Sequence, residues 1–141
     1  MKIYLACTVR GDRASIAALK EACARLQALG HEVLTAHLLD ANVDAQESAL
    51  SEQAVYARDI NWLTACDALV ADASGSSFGV GFEVGYVLAR APHTGQRVFL
   101  LYDASRRRRI SRMISGLSDP NCTVLAYSSP SELVEFVNRH F

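Results

Sequence analysis

The strongest constraint on this chain is a regular switching of hydrophobic period. Short apolar runs at Lys2–Cys7, Glu32–Ala36, Ala68–Ala73, Arg97–Tyr102 and Cys122–Tyr127 predict five strands. Between and after them, apolar residues recur at helical spacing near Ala14–Leu29, Ser48–Cys66, Gly79–Ala91, Arg108–Leu117 and Pro130–Arg139. Gly30 is a stop for the first helix, and Ser129–Pro130 opens the last. Strands that alternate with helices are joined by right-handed crossovers. The expectation is therefore a single-domain α/β fold over residues 1–141, a five-stranded parallel sheet with helices on both faces. Such sheets bind ligands at the carboxyl ends of their strands, near the switch in strand order. Leu38–Glu47 is the one long loop, placed to form part of a rim.

Composition narrows the partners. A net charge of −1 gives no general reason to bind nucleic acid or a membrane surface. The chain opens directly on a strand, without a signal peptide, and no apolar run is long enough to span a bilayer. Cys7, Cys23, Cys66 and Cys122 lie far apart with no C-x-x-C pair, which predicts reduced, packed thiols and a cytoplasmic protein. His31, His37, Asp40 and Asp44 lack the spacing of metal ligands, so no metal is expected.

Chemistry concentrates between Asp67 and Arg90. A buried strand leads into the polar turn Ser74–Gly75–Ser76–Ser77 and then an apolar helix with one acid, Glu83. Burying a carboxylate is costly, so an acid on such a helix marks a function. In the first turns, the helix dipole and free N–H groups would favour its ionised form, and the serine turn would seat an anion such as phosphate. Two other segments should meet this one at the strand ends: Thr8–Val9–Arg10–Gly11–Asp12–Arg13 and the region of His37. The first lacks the G-x-G-x-x-G of a dinucleotide site, but its arginines suit an anionic or planar polar ligand.

Asp59 is a second acid out of place. It shares a helical stripe with Val55, Tyr56, Trp62, Leu63 and Cys66, while Arg58 and Asn61 point elsewhere. A salt bridge or a cap would explain it, as would a catalytic pair with Glu83, since two carboxylates in different surroundings can divide the work at a glycosidic bond. Tyr4, on a central strand, is placed either to hold Glu83 or to serve as a core tyrosine. Gly75–Ser76–Ser77–Phe78–Gly79 matches the G-x-S-x-G nucleophile elbow, with Asp103 or Asp119 and His140 in suitable order, but the chain is short for that fold. The run Arg106–Arg109 lacks aromatic interleaving, which favours a solvated helix start or a local phosphate contact over nucleic acid.

Taken together, Tyr4–Gly11, His37, Ala57–Leu63, Ser77–Gly85 and Arg109–Ile114 resemble the 2′-deoxynucleoside 5′-monophosphate N-hydrolases of the nucleoside 2-deoxyribosyltransferase superfamily. The resemblance covers nearly the whole chain and implies a flavodoxin- or Rossmann-like fold. It implies Glu83 as nucleophile at the anomeric carbon, Asp59 as the group that protonates the leaving base or positions the sugar, and Tyr4 as the residue orienting Glu83. Ser77 would bind the 5′-phosphate, and Ser111 would bind it from the neighbouring subunit of a homodimer. Thr8, Arg10, Gly11 and His37 fall where the family contacts base and phosphate; Val9, Arg13, Gly79 and Met113 complete the expected substrate-binding set. Thr8 replaces the more familiar serine, and Asp12 stands where a glycine is common. The implied reaction releases a free base and (deoxy)ribose 5-phosphate through a glycosyl-glutamate intermediate, with neither metal nor organic cofactor. Base exchange by a nucleoside 2-deoxyribosyltransferase, cleavage of CMP or hydroxymethyl-CMP, and non-catalytic nucleotide binding are the alternatives.

Overall fold

A computed structural model describes residues 1–141. The strands are β1 (Lys2–Ala6), β2 (Glu32–Val33), β3 (Ala68–Asp72), β4 (Arg97–Asp103) and β5 (Cys122–Tyr127). Helices α1 (Ile16–Ala28), α2 (Val43–Ser48), α3 (Glu52–Ala65), α4 (Phe78–Thr94), α5 (Arg112–Ser115) and α6 (Pro130–His140) connect and follow them. All pairings are parallel, in the order β2-β1-β3-β4-β5. From β1 the chain moves outward to β2 and then crosses back to β3, so the switch point lies between the carboxyl ends of β1 and β3.

Strand alternation sorts the core into two layers. Ile3 and Leu5 pack on one face of the sheet with Leu19, Leu26 and Phe136 of α1 and α6. Tyr4 and Ala6 face the other way, against Leu63 of α3 and Val80, Val84 and Val87 of α4. Tyr4 thus points toward the helix that carries Glu83. All four cysteines are free thiols, and burial raises the Cys7 thiol to about 12. No helix is long and apolar enough to cross a membrane.

Five expected elements shift. β2 stops at Val33 instead of Ala36 because the Thr35 hydroxyl takes over the ladder: it accepts from the Leu5 N–H at 2.8 Å and donates to the Leu5 carbonyl at 2.7 Å. The supposed loop Leu38–Glu47 is mostly structured, as a 3₁₀ turn over Ala36–Leu39 followed by α2. α3 begins at Glu52 because the Ser51 side chain caps it, accepting from the Ala54 N–H. The helix expected at Arg108–Leu117 splits into a 3₁₀ turn over Ala104–Arg109 and the short α5, which the Ser111 side chain caps. α4 runs through Pro92, three residues beyond its expected end, and Gly95, at φ 74°, closes the helix.

The Thr35 linkage is buried, so its loss leaves two backbone groups of Leu5 without partners. Thr35→Val is expected to lower the unfolding free energy by about 2–3 kcal/mol, measured as a reduced urea midpoint at unchanged slope. A midpoint equal to wild type would mean that water replaces the hydroxyl there.

Candidate active site

At the switch point the molecule opens into a cavity of about 920 Å³. Thr8, Val9 and Arg10 line it after β1, Leu38, Glu47 and Ser48 from the β2–α3 connection, and Val55, Tyr56 and Asp59 from α3. Ser77, Phe78, Gly79, Val80 and Glu83 complete it from the start of α4. The rim role expected for Leu38–Glu47 is thus met by a short helix instead of a loop.

Glu83 is mostly buried, and the Tyr4 hydroxyl donates to its Oε1 at 2.7 Å. Its ionisation departs from the expectation. Glu83 is the sixth residue of α4 and receives no backbone N–H, so the helix terminus does not reach it. Burial is the largest influence and raises its carboxyl; the Tyr4 hydrogen bond lowers it, the Asp59 charge adds a smaller rise, and the net position is about 7. Tyr4 is shifted upward in turn, first by burial and then by the Glu83 charge, and stays a donor throughout the neutral range.

Asp59 stands opposite, in a different setting. Arg58 was expected to point elsewhere on α3, but its long side chain folds back and donates from Nε to Asp59 Oδ1 at 2.9 Å. The two terminal nitrogens of Arg58 fork onto Glu47, at 3.0 Å to Oε1 and 2.8 Å to Oε2. The guanidinium also lies 4.9 Å from the ring centre of Trp62. Glu47 is held below the usual carboxylate range, chiefly by the Arg58 hydrogen bonds. His37, expected at the base or phosphate, instead places Nε2 3.1 Å from Glu47 Oε1, with its ring against Trp62, and is absent from the cavity lining. Glu47 and Arg58 escaped the sequence reading because they sit on separate helices, and no periodicity links positions across such a break.

The β1–α1 loop is shaped by its own bonds. The Thr8 hydroxyl accepts from the Gly11 N–H at 2.8 Å, and a Cβ at Gly11 would lie 2.5 Å from that oxygen, so a larger residue would displace the hydroxyl from this bond. Gly75 is equally confined, since its Cβ would sit 2.9 Å from the Asp12 carbonyl, where the loops after β1 and β3 touch. Arg13 lies outside the cavity lining, with its guanidinium donating to the carbonyls of Thr8, Leu38 and Asp40. Arg10 lines the cavity, exposed, and reaches Asp44 at 2.8 Å and Ser48 at 3.3 Å on α2.

Ser77 caps α4, its oxygen accepting from the Val80 N–H at 3.3 Å. Ser111 does not share the cavity of Glu83; with Arg109, Ser76 and Ser77 it borders a separate hollow of about 100 Å³. Met113 is fully outside both, on an exposed surface. The arginine run divides its work: Arg106 pairs with Asp12, Arg107 donates to the Tyr102 hydroxyl and Arg109 borders the small hollow. No hydrolase triad forms, because His140 bonds the Phe136 carbonyl, Asp103 bonds Ser105 and Asp119 bonds the Asn121 N–H.

A cavity at the switch point, walled by carboxylates in contrasting surroundings, lies where open parallel α/β sheets bind their ligands. The chain belongs to the nucleoside 2-deoxyribosyltransferase family, whose model matches residues 3–125. It is 39% identical over 135 residues to a Thermofilum pendens protein provisionally named 2′-deoxynucleoside 5′-phosphate N-hydrolase 1, covering 96% of this chain and 91% of that one. It is 30% identical over 141 residues to 5-hydroxymethyl-dUMP N-hydrolase of Rattus norvegicus, covering 99% and 83%. The fold matches that of a Clostridium botulinum CMP N-glycosidase at a TM-score of 0.70 and 16% identity, with each chain covered in full.

The Glu83 setting has a consequence for stability. Its folded-state acidity lies near 7, above the ordinary carboxylate value of 4.5, so the fold favours the protonated form. Stability is therefore lost as pH rises from about 4.5 through about 7. Glu83→Gln, which mimics the protonated side chain, is expected to be more stable than wild type at pH 8, by up to about 3 kcal/mol. The two proteins should converge at pH 4, as read by urea unfolding; equal stability at both pH values would contradict the assignment.

Proposed function

We propose that this protein is an enzyme that hydrolyses the N-glycosidic bond of nucleoside 5′-monophosphates, releasing the base and (deoxy)ribose 5-phosphate. The observation that carries this reading is the Glu83 carboxyl, held by Tyr4 and opening into the same cavity as Asp59 and the Ser77-capped helix start. The names of the N-hydrolase relatives support it independently.

Glu83, once ionised, attacks C1′ of the sugar while the glycosidic bond to the base breaks through an oxocarbenium-like transition state. Asp59 guides a proton to the departing base, directly or through water. Water then cleaves the glycosyl-glutamate ester. Without a 2′-hydroxyl the developing cation forms more readily, which favours deoxyribose substrates. The 5′-phosphate sits at Ser77 and the free N–H groups beside Gly79, with Arg10 swinging from Asp44 to meet it, and Thr8, Val9 and Gly11 fix the loop around the nucleotide. Phosphate binding orients the remote sugar for attack. The family resemblance implies that a second copy of the chain supplies Ser111; a chain's own Ser111 borders the smaller hollow, which shares Ser77 and Val80 with the cavity.

The test is base release from each deoxynucleoside monophosphate, the ribo forms and unphosphorylated nucleosides, with and without a free acceptor base. Release from monophosphates alone is expected. Glu83→Gln should lose at least about a thousandfold in kcat. Because only the ionised Glu83 attacks, kcat/KM should climb with pH and level off above about 7. Base exchange on nucleosides would identify a deoxyribosyltransferase, the activity for which the family is named. Tight binding without turnover would identify a nucleotide sensor.

A further inference from the structure

We propose that Arg58 and Glu47 are positioning residues that set which Asp59 oxygen meets the leaving base, an inference that rests on the hydrolase reading above. Four side chains from three elements form one directed chain: His37 and Arg58 meet at Glu47, and Arg58 passes on to Asp59. Every Glu47 oxygen is occupied, Oε1 by His37 and Arg58 and Oε2 by Arg58. The Arg58 fork therefore has one orientation, fixed further by the Trp62 face beneath it. In that orientation Nε points at Asp59 Oδ1, which leaves Oδ2 as the oxygen free to serve the substrate.

The burial of the chain adds to this. Arg58 side chain is 22% exposed, Glu47 12% and Asp59 25%, so water competes little for these bonds. Arg58 itself does not line the cavity, while Glu47 and Asp59 do. Any effect of Arg58 on the chemistry must therefore travel through Asp59 or through the α2 wall that Glu47 carries. Lysine cannot replace this fork: it has one ammonium, where the site uses three separate N–H directions. His37 acts at the far end, through Glu47.

A double-mutant cycle in kcat separates these roles. Arg58→Lys and Glu47→Gln are each expected to lower kcat about 10- to 100-fold with KM within about threefold, the scale of a misplaced catalytic group. Added to Asp59→Asn, Arg58→Lys should cost less than about twofold more, because the group it orients is already altered. Full multiplicative loss in the double variant, or a loss confined to KM, would overturn the proposal. Failure of the hydrolase reading is recognised separately, as absence of base release from monophosphates by the wild type.

A second measurement is independent of turnover. In ¹⁵N-labelled wild type the Arg58 Nε–H should be protected from exchange, and Glu47→Ala should reduce that protection at least about tenfold. Trp62 is the sole tryptophan, so its emission reports whether the ring environment survives in each variant. Equal Nε–H exchange in wild type and Glu47→Ala would show that Glu47 does not hold the guanidinium and would overturn the proposal whatever the substrate.

Discussion

The contact on which the site depends is the hydrogen bond from Tyr4 to Glu83. It joins a residue of the interior strand β1 to the second turn of α4, across the layer of valines that holds helix to sheet. A buried carboxyl with a single donor is poorly solvated, so its proton is held more tightly than in water. The bond fixes the direction of Oε1 without supplying enough stabilisation to make ionisation easy. Val80, Val84 and Val87 of the same helix pack in the core beside it.

The two acids are separated by what surrounds them. Glu83 meets one hydroxyl and an apolar helix; Asp59 meets a guanidinium that is itself forked onto Glu47. Their mutual repulsion raises Glu83, as its dependence on the Asp59 charge records. A site built this way need not borrow differences in chemistry from a metal, because two copies of the same functional group already differ. Two arginines from different elements also anchor α2, a helix of six residues: Arg10 bonds Asp44 and Ser48, and Arg58 bonds Glu47.

How far the sequence could be read depended on whether a signal was periodic. The five parallel strands and their helices were legible because burial on two faces writes long apolar runs and regular stripes. Glu83, Asp59 and Tyr4 were legible as polar groups on apolar surfaces, and the cavity does bring Glu83 and Asp59 to facing walls. Thr35 was not, because a hydroxyl replacing a strand's backbone bonds looks like any threonine at a strand end. Neither was the Glu47 fork, which couples α2 to α3 through side chains alone, nor the inward fold of Arg58, since neighbouring helix positions point apart and only a long flexible stem overcomes that. His37 and Arg13 were legible as polar residues near strand ends, but their partners are Glu47 and backbone carbonyls, which no spacing encodes.

The dipole of α4 does not govern Glu83, for a reason of distance. A helix terminus acts mainly over its first turn, where N–H groups lack partners, and by the sixth residue those groups are committed to the helix itself. What remains at that depth is desolvation, which acts in the opposite sense. The same geometry assigns the two ends of α4 different tasks. The terminal turn, with its free N–H groups and the Ser77 cap, is suited to a fixed anion, while the second turn holds a carboxyl whose charge is costly at rest. A cationic transition state at the sugar would relieve that cost as it forms, so the interaction would be stronger at the top of the barrier than with the bound substrate. That difference, and not the charge alone, is what lowers a barrier.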